Sequence, residues 1–283
     1  VEAPAKPETP FTDDPRIVGV RVHETLKHVY ARLRDERAYD GGDVDACILR
    51  AQAILREAWA AGLAAVAPAR AANVPLLDRI EGGIWLRTLD AFLAADLRRL
   101  AEEGFVPASF EHRIDRRIAG GPPGLIVRAR VDRIAERDGS RLIGEYKTGG
   151  DLASRVQTSA MVSGLQLQVP IYALMLGAPV ELLGVGLRHD ADVVRFDDFK
   201  SPAVRDGVLE TLRVAAALEA SGTFPIRSGP HCEHCDYRSA CRRTHPPTEH
   251  REATAADAID ARDCWKKSGK APSLASVRQA ASS

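Results

Sequence analysis

Lysine is scarce in this chain: of 39 basic residues only seven are Lys, the rest Arg. Between Lys27 and Lys200 a single lysine stands, Lys147. An ammonium is a compact, titratable point charge and a guanidinium is not, so a lone lysine among arginines favours a chemical role. Net charge is also missing, because 39 acidic residues balance the basic ones. That balance neither points to a nucleic-acid partner nor excludes one, since a local groove can be basic in a neutral protein. No run approaches the ~18 apolar residues that a membrane span needs. The opening Val1-Glu2-Ala3-Pro4-Ala5-Lys6-Pro7 has no apolar signal-peptide core, which predicts a cytoplasmic location. It also lacks an initiator Met, which predicts a segment of a longer polypeptide or a processed chain. The five cysteines, Cys47, Cys232, Cys235, Cys241 and Cys264, are odd in number and three are clustered. This argues against a disulfide framework and favours a metal or cluster site in a reducing compartment.

What is present is ordinary globular material. With 283 residues, 45% hydrophobic and 28% charged, the chain can bury a sizeable core as one large domain or two small ones. Residues 1–15 are Pro-rich and read as a loose lead-in. Val22, Leu26, Val29 and Leu33 fall on one helical stripe, with His23 beside it, predicting a helix over 16–33. Further helices are expected over 44–66, carrying Cys47, Ile48, Leu55 and Trp59 inward, and over 76–101, with Ile80, Ile84, Leu89, Phe92, Leu93, Leu97 and Leu100 inward. The period then changes to that of strands: 105–118, 125–135 and 142–147 read as an antiparallel meander with a hairpin turn at Asp138-Gly139-Ser140. A polar loop over 149–163, a helix over 166–176, strands over 180–187 and 192–196, and a helix over 202–220 follow. The Ala/Ser/charged tail, 249–283, reads as weakly ordered or a fold-back helix. The class is α/β or α+β.

The chemistry centres on 142–147. Alternation along a strand puts Glu145 and Lys147 on one side and Tyr146 on the other. The meander brings Asp132 beside them. Hydrolysis of a phosphodiester needs oxygen ligands for a hard divalent ion and a group that orients water. Two carboxylates and a lysine on adjacent strands supply both. Taken alone, this spacing more often makes a salt bridge on a solvated face. Glu111, on the first strand, is a further acidic candidate. Gln168 and Tyr172 are spaced i, i+4 and share a helix face. Cys232-x2-Cys235-x5-Cys241 is suited to closing a loop around a soft metal; four thiolates would suit a [4Fe–4S] cluster, while His231, His234 and His245 also permit Zn²⁺ with mixed ligands. Arg128, Arg130, Arg133, Arg155, Arg238, Arg242 and Arg243 are candidates for phosphate contacts if the fold clusters them.

Val131-Asp132-Arg133-Ile134, Glu145-Tyr146-Lys147-Thr148-Gly149, Gln168-Val169-Pro170-Ile171-Tyr172 and the upstream Gly19-Val20-Arg21-Val22-His23 together resemble the PD-(D/E)XK nuclease superfamily. The nearest branch is the RecB/AddB-like exonuclease domain, and the likeness spans about 16–248. Two positions depart from the pattern: Glu145 replaces the commoner Asp, and Ala129 stands where Gly is usual. The resemblance implies a restriction-endonuclease-like mixed β-sheet flanked by helices, with a helical part over 16–104, a sheet core over 105–200, and a helix and Cys-rich segment over 201–248. It implies His23, Asp132, Glu145 and the Tyr146 backbone carbonyl as ligands of Mg²⁺ or Mn²⁺. Lys147 would position or deprotonate the attacking water, and Gln168 and Tyr172 would hold the site or the DNA backbone. It also implies a DNA exonuclease joined to a helicase, on the same or a partner chain, in bacterial double-strand-break repair. An iron–sulfur subset of this branch carries the same three-cysteine spacing plus a fourth Cys upstream of the His helix. No Cys precedes His23 here, so Cys47, Cys264 or a residue outside this sequence would complete it. The competing expectations are a DNA-binding module without catalysis and a zinc-stabilised interaction domain.

Overall fold

The computed structural model describes residues 15–40, 42–66, 75–149, 152–157, 160, 161, 164, 166–185, 192–220 and 241. Three long helices come first: α1 (Pro15–Asp35), α2 (Val44–Val66) and α3 (Pro75–Glu103). Strands β1 (Val106–Arg116), β2 (Val127–Arg137) and β3 (Ser140–Lys147) follow, then short α4 (Leu152–Arg155) and α5 (Gln168–Leu176). Strands β4 (Val180–Gly184) and β5 (Val193–Phe196), a 3₁₀ turn and α6 (Pro202–Ala220) complete the described elements. The five strands form one sheet in sequence order. The β1–β2–β3 meander is antiparallel as expected, but β4 joins β3 in parallel and β5 is antiparallel again. A parallel neighbour needs a crossover, and the stretch holding α4 and α5 supplies it. The result is the mixed, helix-flanked sheet of a restriction-endonuclease-like α/β fold.

The sheet separates two apolar cores. On one face Val22, Leu26, Val29 and Leu33 of α1, a stripe at helical spacing, are buried with α2, α3, Tyr146 and Leu183. On the other, α5 and α6 pack through Val169, Tyr172, Val208 and Leu212 against Ile134, Ile143 and Leu182. Pro170 sits in the first turn of α5, where its missing N–H is not needed. Gly177, at φ +63°, ends that helix in the left-handed conformation glycine adopts freely, and its N–H reaches the Ala173 carbonyl.

Two expectations are corrected. Ile80 and Ile84 do not face inward but are exposed; Trp85 and Leu89 take the buried side of α3. Arg133 is not a surface phosphate ligand. It is fully buried, forked onto Asp96 of α3 and lying over the Tyr30 and Tyr146 rings. Opposite it across the ladder stands Gly144, where a Cβ would come 3.1 Å from the guanidinium Nε and from Leu183 Cδ1. The missing side chain makes room for the arginine. From there Arg99 links Asp96, Glu103 and Glu181, and Arg195 links Glu103 and Glu181. This ladder of three carboxylates and three arginines fastens α3 to β2, β4 and β5.

Among the described residues, no helix is long and apolar enough to cross a membrane. Residues 1–14, the tail 249–283, Cys232, Cys235, Cys264, His231, His234, His245, Arg238, Arg242 and Arg243 lie outside the described residues.

Candidate functional site

The site lies where α1, β1, β2, β3 and the start of α5 meet. His23 extends from α1 beside the buried stripe, half-exposed, with Nδ1 3.2 Å from Asp132 Oδ1. One turn earlier stands Gly19; a Cβ there would lie 3.6 Å from Thr148 Oγ1. Alanine would fit that gap, and a longer side chain would crowd the Thr148 hydroxyl. Asp132, buried on β2, accepts a hydrogen bond at Oδ2 from the Tyr146 backbone N–H, 2.8 Å. The Tyr146 ring turns to the opposite face and packs edge-on to His23 and Phe92, as strand alternation requires.

Glu145 and Lys147 share the site side of β3, with Lys147 Nζ 2.8 Å from Glu145 Oε1. Gln168, the first residue of α5, completes the group. Its Nε2 donates to Glu145 Oε1 (2.6 Å) and to the Tyr172 hydroxyl (3.1 Å), while its Oε1 accepts from Lys147 Nζ (2.9 Å). A carboxamide can do both at once, its NH₂ donating to the carboxylate and its oxygen accepting from the ammonium. Tyr172 donates its own hydroxyl proton to the Arg130 carbonyl, 2.9 Å. The six residues expected from sequence, His23, Asp132, Glu145, Lys147, Gln168 and Tyr172, thus form one connected cluster.

Glu111 proves central rather than peripheral. The register that pairs Phe110 with Arg133 and His112 with Val131 sets Glu111 opposite Asp132. Ligand atoms of His23, Glu111 and Asp132 all lie within 4.8 Å of one another. Glu111 takes φ +50°, a costly value for a residue with a Cβ, and such strain concentrates at functional sites. Its Oε2 is 2.6 Å from Arg130 Nε, an ion pair out of line for a hydrogen bond. A single acidic residue on a strand gives no local signal of this; only the β1–β2 register reveals it.

The electrostatics are those of a cluster with excess negative charge. Burial first, then the Asp132 charge, pushes the Glu145 carboxyl up to about 7 against the pull of Lys147. Burial opposes a protonated His23, but the hydrogen bond and charge of Asp132 outweigh it and raise its pKa. Burial also drives the Tyr172 hydroxyl up to about 12, keeping it a proton donor. The Glu145 Oε2 atom is buried with no hydrogen-bond partner. Glu145 is not one of the three residues whose ligand atoms converge, but its buried unpartnered oxygen, within electrostatic reach of Asp132 and His23, suits a hard cation, which prefers oxygen donors.

The cysteine expectation meets different surroundings. Cys47 is buried in the helical core and borders a cavity of about 260 Å³ with Tyr39, Leu97, Leu100 and Phe105. Burial raises its thiol pKa. Cys241 is half-buried, and neither thiol is in a disulfide.

A family model for the PD-(D/E)XK nuclease superfamily matches residues 3–242. No curated protein matches the chain. The match covers both the helical part and the sheet, including every residue of the cluster above. The chain belongs to the PD-(D/E)XK superfamily, whose members are generally metal-dependent nucleases.

Proposed function

We propose that this chain is a DNA exonuclease domain of the RecB/AddB-like branch, dependent on Mg²⁺ or Mn²⁺. In this reading it is the nuclease part of a cytoplasmic bacterial helicase–nuclease for double-strand-break repair, with the helicase on the same or a partner chain. The domain runs over 16–248. The observation that carries the catalytic reading is the convergence of His23, Glu111 and Asp132 beside a hydrogen-bonded Glu145–Lys147–Gln168 group.

His23, Glu111, Asp132 and Glu145 would hold the ion, with the Tyr146 carbonyl as a further candidate. Once bound, it supplies a Lewis acid for the phosphate and lowers the pKa of water. Lys147, fixed by Glu145 and Gln168, orients the attacking water and offsets charge developing on phosphate oxygens. Gln168 sets the spacing between Glu145 and Lys147, and Tyr172 ties Gln168 to β2. Cys232, Cys235 and Cys241 give three thiolates for a [4Fe–4S] cluster in this reading, with Cys47 or another residue of the polypeptide as the fourth. A brown protein carrying iron supports that part, and colourless protein with stoichiometric zinc refutes it.

The decisive assay is digestion of labelled DNA with Mg²⁺ or Mn²⁺. Wild type should cut, and Lys147→Ala should be slower by roughly 10²–10⁴-fold, the usual worth of a positioned proton-handling group. No cutting by wild type with either ion, or equal cutting by the variant, would sink the proposal.

A further inference from the structure

The first half of β2 has no neighbour in β3, which pairs only with Arg133 through Arg137. With its β1 partner it forms a two-stranded arm, from Val127 paired with Arg116 to Val131 paired with His112. The arm is two-sided. Ile114, Ile118, Val127, Ala129 and Val131 belong to the core that α5 and α6 cover. Its far end is held by Arg213 of α6, whose Nη2 donates to the Gly120 carbonyl at 2.6 Å.

Exposed arginines interleave with these apolar positions: Arg113, Arg128 and Arg130 on the outward side, where Asp115 also stands, and Arg116 and Arg117 at the far end of β1. Arg128 and Arg130 lie four and two residues before Asp132 on the same strand, and the Arg130 side chain reaches Glu111. Arg113 sits directly across from Arg130. Like charges facing each other across a ladder destabilise the free protein. Arg130 has Glu111 and Arg128 has Asp115, but Arg113, Arg116 and Arg117 have no ion-pair partner among the described residues.

We infer that this arm is a phosphate-binding track that receives the DNA strand and leads it to the metal ligands. The inference rests on the nuclease reading for its choice of ligand, and charge complementarity is its warrant. A run of unneutralised guanidiniums leading outward from the site along β1 matches a polyanion, and each phosphate neutralised releases condensed counterions. Arg130 sits at the junction, touching Glu111 with its side chain and Tyr172 with its carbonyl.

The test is binding of a fluorescent single-stranded oligodeoxynucleotide in EDTA, by anisotropy, over a salt series. For the triple variant Arg113→Gln/Arg116→Gln/Arg117→Gln, the slope of log K against log salt should shallow by about two, because each phosphate neutralised on a single strand adds ~0.7 to that slope. Its loss of affinity from about 50 to 200 mM salt should then be roughly twentyfold smaller than that of wild type. The triple Arg→Lys variant keeps the charges and should restore most of the slope. A Gln variant with the wild-type slope overturns the arm proposal even if wild type cuts DNA. A shallower slope in a wild-type background that never cuts upholds the arm and refutes the nuclease. A wild type that does not bind the oligonucleotide overturns the arm proposal outright.

Discussion

Arg133 and Asp132 are neighbours on β2, yet they serve two charged clusters of opposite design. On the helical face Arg133 belongs to a ladder in which Asp96, Glu103 and Glu181 are matched by Arg99, Arg133 and Arg195. There burial opposes the Asp96 carboxylate, but Arg133 and Arg99 outweigh it and hold its pKa below the ordinary value. On the other face Asp132, Glu145 and Glu111 meet Lys147 and Arg130, with His23 titrating between. There Glu145 is pushed the opposite way, up to about 7. Both clusters are buried carboxylates among cations, but one is charge-matched and the other is short of positive charge. The matched one holds elements together. The unmatched one is destabilising until a cation arrives, which is how binding sites differ from structural networks.

The contrast breaks first at the site. Asp132→Asn should slow DNA cleavage on the order of a thousandfold, about 4 kcal/mol of barrier, with little change in Tm. A variant that cuts normally would return Asp132 to structure. In the ladder the expectation reverses. Asp96→Ala leaves Arg133 buried and alone, and should cost about 3–5 kcal/mol of stability in urea unfolding. A cost below about 1 kcal/mol would show that the ladder is not what fastens α3.

The pH dependence sharpens the comparison. The pKa of Glu145 in the folded chain, about 7, exceeds its ordinary 4.5, so the folded state binds the proton more tightly than the unfolded one. Its contribution to stability is therefore intact below about pH 4.5 and lost as pH rises through about 7. Mn²⁺ should raise Tm more at about pH 8 than at about pH 5, because the ion needs the deprotonated site. Glu145→Gln should stabilise the metal-free protein at about pH 8 by roughly 1–3 kcal/mol and remove much of the Mn²⁺ effect. Unchanged stability would mean that the ionised carboxylate is not strained. The smallest effect belongs to an exposed pair. Arg141→Ala, which removes a 3.2 Å ion pair with Glu136, should cost at most ~1 kcal/mol by thermal melting.

These two clusters are unequally legible in the sequence. His23, Asp132, Glu145, Lys147, Gln168 and Tyr172 can be read because each sits within a short motif whose spacing repeats local geometry. Arg133 cannot, since an arginine next to an aspartate on an alternating strand looks solvated. Its partner Asp96 lies on α3, and nothing local announces it. Glu111 is hard to weigh for a related reason: its place opposite Asp132 depends on strand register, and its positive φ leaves no mark in composition. The helices and the meander follow from periodicity, whereas the parallel β3–β4 pairing is a choice of topology that periodicity does not encode. On α3, Ile80 and Ile84 read as inward only when the apolar stripe is extended N-terminal to Trp85, a stretch whose two isoleucines are exposed.

His23 comes from the first helix, Asp132 and Glu145 from the middle of the sheet, and Gln168 from a helix reached only after the chain has turned back. No short contiguous stretch of this chain contains the proposed ligand set. During synthesis the nascent protein would carry fragments of the centre with no affinity for an ion, and a partly unfolded molecule would lose the centre as a whole. Competence thus arrives and departs with the fold itself, so that a hazardous chemistry is withheld from every incomplete form of the chain.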